Sequence, residues 1–298
     1  MTAPTKHISV MLHESVDALR PRDGGIYLDG TLGGGGHVAE LLKCSEPTGR
    51  VLALDVDLAA LVRAQERFVS YGSRVRFVEA NFRYMDRVAA EVGMVPMDGI
   101  LLDLGFSSDE LADPKKGLSF QQDGPLDMRF GPYANEDGLT AAEIVNSWSE
   151  ADLVKVLENF GEERHARRIA HGIVEARKTA RIIGTLDLVS VIKKYAPPQR
   201  AEDIHPATRT FQALRIVVND ELEALKDAIR ASERVLAPGG RLAIITFHSL
   251  EDRIVKQAFE KAPWVQVSEK PITPSREEIQ SNPRSRSAKL RIAERAAA

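Results

Sequence analysis

The sequence predicts an α/β fold: a mainly parallel sheet covered by helices on both faces, with a helical segment inserted before the last part of the sheet. Two observations support this prediction. Over roughly the first hundred residues, apolar runs of strand length alternate with stretches of helical periodicity, as in a parallel sheet whose strands are joined by helices. The alternation stops after Leu104 and returns only at residues 240–247.

The elements of the first part follow from apolar runs and their spacing. Strands are predicted for four runs, at residues 26–29, 51–55, 74–79 and 98–103. Helices are predicted to begin at His37 and to cover residues 58–69 and 82–92. Because consecutive parallel strands need such crossover helices, the two sets support each other.

The middle of the chain has a different composition. Residues 105–139 are rich in Gly, Asp, Ser and Pro, and helical spacing follows at residues 141–146, 152–160, 162–178, 186–195 and 211–236. Residues 265–267 and 289–292 predict late edge strands. We therefore assign residues 1–110 and 235–298 to one α/β domain and residues 111–234 to an inserted, mostly helical domain.

Composition excludes several classes of protein. The chain has 298 residues, of which 43% are hydrophobic and 28% charged, with a formal net charge of −3. These values exclude wholesale disorder, and no apolar run reaches the roughly 18 residues of a membrane span. The N-terminus lacks a secretion signal, so a cytoplasmic location is expected. The single cysteine, Cys44, excludes an internal disulfide, and the irregular spacing of His7, His13, His205 and His248 gives no support for a metal site.

The most informative segment is DGTLGGGGH, residues 29–37, between a predicted strand and a predicted helix. Glycines there let the backbone turn sharply and approach a ligand closely, and a helix N-terminus offers N–H groups. Asp55 ends the next strand, where an acid typically accepts hydrogen bonds from the hydroxyls of a ribose. Together these features predict an adenosine-containing cofactor; a tight turn without a ligand is the alternative.

The glycine spacing indicates which cofactor is expected. Counted from Gly33, the third glycine of the dinucleotide pattern G-x-G-x-x-G falls on Val38. Counted from Gly30, its second glycine falls on Leu32. The phosphate-loop pattern fails too, since no Lys-Ser or Lys-Thr follows. S-adenosylmethionine, which carries adenosine but no phosphate, fits better, with Asp29 placed to face its amino or sulfonium end.

Asp103 ends the fourth predicted strand and is expected to face the same crevice. Methyltransferases that act on exocyclic amines commonly have Asp or Asn here, followed by Pro-Pro and an aromatic residue, whereas this chain has DLGF. An aromatic amine is a poor nucleophile, and an acceptor for its N–H raises the electron density on nitrogen. We interpret Asp103 as catalytic, with a turn cap as the alternative. Phe82 is placed to cover an adenine ring, or else is a core aromatic.

Longer stretches resemble the bacterial RsmH/MraW family of methyltransferases. They cover nearly the whole chain: HISVMLHE (7–14), DGTLGGGGH (29–37), ALDVD (53–57), ILLDLGFSS (100–108), GLSFQQDGPLDMR (117–129), HPATRTFQALRIVVNDEL (205–222), LAPGGRLAIITFHSLEDRIVK (236–256) and NPRSRSAKLRIAE (282–294). The resemblance implies a class I, Rossmann-like methyltransferase domain with an inserted helical domain. It also implies that S-adenosylmethionine donates a methyl group to the N(4) amine of a cytidine in small-subunit ribosomal RNA.

The resemblance also implies which residues contact the cofactor. Carried over position by position, they are Gly35, Gly36, His37, Asp55, Phe82 and Asp103. Two residues after the Ser-Ser pair the family often has glutamine, and this chain has Glu110. Because a carboxylate cannot donate the hydrogen bonds of an amide, the contact at Glu110 is expected to differ.

An acidic chain is expected to bind RNA through local basic patches, which supply affinity that does not depend on sequence. One patch is predicted in the insert, with six cations on one helix and three beyond it: Arg164, Arg167, Arg168, Arg177, Lys178 and Arg181, then Lys193, Lys194 and Arg200. A second is predicted near the C-terminus, with Arg284, Arg286, Lys289, Arg291 and Arg295. For each cation, a solvated face is the alternative. Residues 123–129 are expected to close over the base or to link the domains, and His248 is either catalytic or structural.

Other functions remain open from the sequence. They are another S-adenosylmethionine enzyme acting on DNA or a small molecule, a nicotinamide oxidoreductase, and a noncatalytic RNA-binding module. The failed dinucleotide pattern argues against the oxidoreductase and the cofactor loop against the binding module. A small-molecule enzyme would not need a basic insert. The sequence leaves open whether the partner is free small-subunit ribosomal RNA or the assembled small subunit, and whether the protein forms a homodimer.

Overall fold

The structure, a computed structural model, describes residues 8–106, 108–131, 135, 138–197 and 204–297. His7, Ser107 and Arg200, which the sequence patterns single out, lie outside these residues. The chain divides into two compact units, one formed by Met1–Ser107 with Leu222–Ala298 and the other by Ser108–Glu221. Within the described ranges, no helix is long and apolar enough to cross a membrane.

The first unit contains a sheet of seven strands, counted over the described residues, in the order β3-β2-β1-β4-β5-β7-β6. The strands are β1 (Ile26–Asp29), β2 (Arg50–Asp55), β3 (Val75–Glu79), β4 (Met97–Asp103), β5 (Leu236–Thr246), β6 (Trp264–Gln266) and β7 (Lys289–Arg295). Strands β1 to β5 pair in parallel, and β7 is antiparallel to both β5 and β6. The predicted mainly parallel sheet is confirmed. The prediction of β7 as an edge strand is wrong, because it pairs on both sides.

Thirteen helices lie in the described part of the chain. They are α1 (Leu12–Ala18), α2 (Gly36–Cys44), α3 (Leu58–Arg67), α4 (Met85–Glu91), α5 (Ser108–Ala112), α6 (Ala141–Ser147), α7 (Glu150–Gly161), α8 (Ala166–Thr179), α9 (Thr185–Tyr195), α10 (Thr208–Asn219), α11 (Glu221–Val235), α12 (Ser249–Phe259) and α13 (Arg276–Ser281).

Both faces of the sheet are covered, because successive side chains of a strand point to opposite faces and those of the inner strands are apolar. Tyr27 of β1 packs in a core with residues of α1, α2 and α3, such as Leu41. The next residue, Leu28, packs in a second core with residues of α4, α11 and α12, such as Val255. This arrangement places the carboxyl ends of the parallel strands along one edge of the unit.

The second unit is mostly helical, and its core includes Ile144, Leu157, Ile169 and Leu214 from α6, α7, α8 and α10. Its helix boundaries differ from the sequence-based ones. The helix predicted for residues 162–178 begins only at Ala166, because residue 162 is the left-handed C-cap of α7. Arg164 therefore precedes α8, and Arg181 follows it.

The prediction of one helix over residues 211–236 is wrong as well. Asp220 has φ of +49° and separates α10 from α11. Residues 222–234, which the pattern assigned to the insert, belong to the first unit, since Leu225 and Ile229 of α11 share a core with Leu28 and Leu52. Helical periodicity shows that a helix has an apolar face, but it does not show which core that face joins.

Candidate active site

Three carboxylates lie at the carboxyl ends of adjacent strands. Asp29 ends β1, Asp55 ends β2 and Asp103 ends β4, and β1 pairs with both other strands. The chain leaves β1 toward β2 and β3 and then returns to β4 on the other side. In open parallel sheets, ligands bind in the crevice at such a switch point. The structure therefore brings these three sequence-predicted residues to the place where a ligand is expected.

The glycine loop, residues 30–36, is tied to the strand ends by backbone hydrogen bonds. The N–H of Gly30 donates to the carbonyl of Leu101 at 2.9 Å, and the N–H of Gly33 donates to Oδ2 of Asp55 at 2.8 Å. The other oxygen, Oδ1, accepts the N–H of Asp57 at 2.8 Å. Asp55 thus holds the loop against the end of β2, in addition to any contact that it makes with a ribose.

Glycine is required at the start of α2. Gly35, the N-cap, has φ of +72° and offers no side-chain cap, and a Cβ there would lie 2.9 Å from the ring of Phe68. A Cβ on Gly36 would lie only 2.1 Å from Oγ of Ser9. A side chain at either position would therefore meet Phe68 or Ser9, and the positive φ of Gly35 adds backbone strain for any other residue.

Asp29 and Asp103 are linked through Thr31. Oδ1 of Asp29 accepts the N–H of Thr31 at 3.0 Å, and the N–H of Asp103 donates to Oγ1 of Thr31 at 2.7 Å. Each carboxylate keeps one buried oxygen, Oδ2 of Asp29 and Oδ1 of Asp103, that has no hydrogen-bond partner among the described residues. Thr31 thus fixes the two strand ends and leaves one acceptor on each.

Burial and neighbouring acids raise the pKa of both groups. Desolvation and the charge of Asp55 raise the pKa of Asp29 to about 7. Desolvation, followed by the charges of Asp29, Glu251 and Glu278, raises the pKa of Asp103 to about 8. An unpaired buried acceptor is costly, and a nearby cation would favour its ionised form. The site therefore fits a ligand that brings a positive charge and an N–H donor, as a sulfonium cofactor and an amine substrate would.

His37, predicted as a cofactor contact, is buried and directed at the N-terminal segment. Its Nε2 lies 3.1 Å from the carbonyl of Val10. Since a carbonyl only accepts, Nε2 carries the proton in this contact. The ring therefore holds residue 10 beside α2, and a cofactor contact of His37 remains a prediction.

Phe82 lies beside the glycine loop. It follows β3 in a short 3-10 turn and packs against the core of α4, α11 and α12. A Cβ on Gly30 would come within 3.0 Å of Cβ of Phe82. The base of the Phe82 side chain therefore lies beside the first residue of the glycine loop, and stacking of its ring on a cofactor remains a prediction.

Glu110 belongs to the second unit, and there it forms an ion pair. Its Oε1 lies 3.1 Å from Nζ of Lys116, which also donates to the carbonyl of Phe130 at 2.9 Å. The side chain thus helps to hold the loop that ends at Phe130. Its predicted contact with the cofactor remains a prediction.

His248 caps α12 together with a buried carboxylate that sequence reasoning missed. Nδ1 of His248 accepts the N–H of Glu251 at 3.4 Å, while Oε2 of Glu251, a residue only 2% exposed, accepts the N–H of Phe247 at 2.8 Å. Nε2 of His248 lies 3.2 Å from Oε1 of Glu251, a contact that is an ion pair only when the imidazole is protonated. The signal for Glu251 is the acid three residues after the cap, as in a capping box.

The insert presents exposed cations, as predicted. Arg164, Arg167 and Arg168 are exposed at and before the start of α8, and Lys178, Arg181, Lys193 and Lys194 are exposed beyond. Arg177 is half-buried and donates to the carbonyl of Val145 at 2.8 Å. Lys178 pairs with Glu175. Three exposed arginines thus lie close together in sequence at the start of α8.

The predicted C-terminal patch is only partly at the surface. Arg291 is buried, and its Nε lies 2.6 Å from Oδ1 of Asp252, whose Oδ2 lies 2.8 Å from Nζ of Lys289. Arg295 donates to the carbonyl of Leu236 at 3.0 Å. The expectation that these cations face RNA is wrong for Arg291, because alternation along β7 turns it toward α12. Arg284 and Arg286 are exposed.

Comparison with known proteins gives matches over both units. Residues 4–296 match the sequence profile of the MraW methylase family. A ribosomal RNA small subunit methyltransferase H from Heliobacterium modesticaldum is 47% identical and covers 97% of this chain and 98% of its own. The protein of the same name from Thermomicrobium roseum is 48% identical, with 98% and 94% covered. Among solved structures, an rRNA methylase from Streptococcus thermophilus aligns over 97% of this chain and 99% of its own, at 14% identity and a TM-score of 0.46.

Proposed function

Because this chain belongs to the MraW methylase family, we propose that it is a cytoplasmic methyltransferase that uses S-adenosylmethionine to methylate the N(4) amine of a cytidine in small-subunit ribosomal RNA. The relatives named above support the RNA, and the sequence resemblance supports the cytidine amine. The observation that carries the proposal is the pair of unpaired buried oxygens on Asp29 and Asp103, beside a glycine loop at the switch point of the sheet.

The proposed cofactor site is formed by the glycine loop, the end of β2 and the turn after β3. Gly35 and Gly36 start α2 and admit the cofactor to its backbone, Asp55 accepts the ribose hydroxyls, and Phe82 covers the adenine. The unpaired oxygen of Asp29 faces the positive charge. A carboxylate oxygen has more than one lone pair, so Asp55 can accept ribose hydroxyls while it holds Gly33.

The transfer needs an amine made nucleophilic and a group that takes its proton. When bound, S-adenosylmethionine supplies a methyl group on a sulfonium, which passes to nitrogen as the carbon–sulfur bond breaks. Asp103 accepts an amine N–H at its unpaired Oδ1, which raises the electron density on the attacking nitrogen. It then takes the proton that the nitrogen loses. The pKa of Asp103 in the ligand-free protein, about 8, lies near neutral pH, and the positive charge of the cofactor would lower it and favour the carboxylate that takes the proton.

The RNA is expected to reach the enzyme through the exposed arginines at the start of α8. Exocyclic amines of paired bases are inaccessible to an enzyme pocket, so the target cytidine must be unstacked or splayed out of its helix. Methylation of free small-subunit RNA and of the assembled subunit in vitro separates these two candidate substrates.

Mass spectrometry of nucleosides from small-subunit RNA tests the proposal. Cells that lack the protein should lose one N(4)-methylated cytidine, and the parent chain should restore it. The Asp103→Asn variant should not restore it at equal protein level. Asp23→Asn is the matched control, because Asp23 is exposed and precedes β1, at the opposite edge of the sheet. An unchanged level of the modified cytidine in cells without the protein would refute the proposed target.

A further inference from the structure

A short segment near the N-terminus, the strap (residues 8–11), lies between the glycine-loop side of the first unit and the C-terminal helix α13. Val10 and Met11 are buried, at 7% and 1% exposed. Met11 adopts a left-handed conformation with φ of +49° and is the N-cap of α1. A left-handed, non-glycine residue is costly unless its surroundings hold it, so the contacts of the strap must stabilise this conformation.

One side of the strap contacts the start of α2. Oγ of Ser9 occupies the space that a Cβ on Gly36 would need, at 2.1 Å from it. The carbonyl of Val10 accepts from the buried Nε2 of His37. These two neighbouring residues, 36 and 37, form the first turn of α2, where the proposed cofactor site begins.

The other side of the strap is held by α13 and the residue after it. Oε1 of Glu278 accepts the N–H of Met11 at 2.7 Å, and Nδ2 of Asn282 donates to the carbonyl of Ile8 at 3.2 Å. Asn282 is buried, and Glu278 is half-buried. Both ends of the strap are thus fixed by residues about 270 positions away in the chain.

We infer that Glu278 and Asn282 are positioning residues for cofactor binding, which act by holding the strap against the first turn of α2. The inference rests on the proposed function, since it assumes that S-adenosylmethionine binds at the glycine loop. Without the two hydrogen bonds, the strap would lose the contacts that fix its backbone, and Ser9 and Val10 would no longer support Gly36 and His37. The cofactor would then have to order this turn as it binds, which lowers affinity.

Glu278 has a second, separable effect. Its negative charge is one of the causes that raise the pKa of Asp103. The Glu278→Gln variant keeps an acceptor oxygen for Met11 and removes the charge, whereas Glu278→Ala removes both. The two variants therefore distinguish the hydrogen bond from the charge.

The test combines calorimetry, steady-state kinetics and amide hydrogen exchange on the full chain. For Glu278→Ala we expect the Kd and the KM for S-adenosylmethionine to rise about tenfold, on the scale of one hydrogen bond to a charged group. For Asn282→Ala, which loses a bond between two neutral groups, we expect a rise of about fivefold. The KM for RNA should stay close to the parent value. So should kcat at saturating cofactor, for Asn282→Ala at any pH and for Glu278→Ala at a pH where Asp103 is fully ionised in both chains. Amides of residues 8–11 should exchange faster, while those of the inner strands stay protected.

The controls make the outcome decisive. Glu278→Gln should restore cofactor affinity to within about twofold and should move the pH profile of methyl transfer to lower pH, because one of the charges that raise the pKa of Asp103 is gone. Glu277→Ala, an exposed acid on the same helix, should leave every value unchanged. Faster exchange of the strap with unchanged Kd would overturn the inference, as would an equal loss in Glu277→Ala. A parent chain that does not bind S-adenosylmethionine would instead refute the proposed function.

Discussion

The hydroxyl of Thr31 accepts the backbone N–H of Asp103 at 2.7 Å, and so joins the loop after β1 to the end of β4. The N–H of Thr31 donates in turn to Oδ1 of Asp29. The bond fixes the backbone of Asp103 and leaves Oδ1 of its carboxylate without a partner among the described residues. An acceptor that is held in place but not yet used is what a preorganised catalytic group requires.

The Asp103→Asn variant should lose rate more than cofactor affinity. Asparagine keeps the shape and one acceptor oxygen but cannot take a proton or carry a charge. We expect single-turnover methyl transfer at saturating cofactor to fall about 10²–10³-fold, the scale for removal of a preorganised polar group, with a smaller loss of affinity by calorimetry. A normal rate with weakened binding would show instead that Asp103 only holds the cofactor.

Asp29 and Asp103 should destabilise the ligand-free protein increasingly as pH rises. The pKa of Asp29 is raised to about 7 and that of Asp103 to about 8, both from 3.8. These two residues therefore bind more protons in the folded protein than in the unfolded chain between about pH 4 and pH 8, so their contribution to the free energy of unfolding falls across that range. Thermal unfolding at several pH values measures this dependence. Asp103→Asn should flatten its upper part; an unchanged slope would contradict the assignment of the raised pKa to this residue.

Cofactor affinity should depend on Asp55 more than on Asp57. Asp55→Ala removes the acceptor for Gly33 and for the proposed ribose, and we expect a loss of about 1–3 kcal/mol in binding S-adenosylmethionine. Asp57 accepts the N–H of Ala59 as the N-cap of α3. Asp57→Ala should therefore lower the free energy of unfolding by about 1 kcal/mol and leave binding nearly intact. Calorimetry and urea unfolding of both variants separate the two effects, and equal losses of affinity would count against a ribose contact.

Local signals were enough to predict the strands and the crevice. The glycine loop at residues 29–37 and the acids Asp55 and Asp103 can be recognised from the residues next to them, because strand ends and glycine turns depend on neighbours in sequence. The fold class, the helical insert and the edge where these acids meet all follow from such stretches. That these residues bind the cofactor stays a prediction.

Long-range partners were beyond the sequence. Nothing near Arg291 in the chain shows that it pairs with Asp252. The sequence around a basic residue on a strand is the same whether its side chain faces solvent or a buried acid. The same holds for Glu278, whose bond to Met11 spans 267 residues. The face that α11 presents is visible in its periodicity, but the sheet that receives that face is set by tertiary packing.

RNA affinity should depend on the cations at the start of α8. Reversing Arg164, Arg167 and Arg168 to Glu should weaken RNA binding and reduce the slope of log affinity against log salt by about 2, near 0.7 for each phosphate of single-stranded RNA that is no longer neutralised. Cofactor binding should be unchanged. Reversal of Arg284 and Arg286 tests the exposed remainder of the C-terminal patch in the same assay. Salt slopes identical to the parent for the α8 variant would show that these arginines form only a solvated face.

Arg291 should matter for stability and not for RNA. Burial alone would raise the pKa of Asp252, but hydrogen bonds from Arg291 and Lys289 together hold it below its usual value. Arg291→Glu would place a second carboxylate against Asp252 in a site that is 9% exposed at the arginine side chain. We expect it to lower the free energy of unfolding by about 3–5 kcal/mol, as for a buried ion pair that loses one partner. Arg286→Glu, an exposed charge reversal five residues earlier, should cost about 0.5 kcal/mol or less. Urea unfolding measures the free energy of unfolding of both variants. If the two values are equal, Arg291 does not hold β7 to α12, and a contact of Arg291 with RNA would again be the better interpretation.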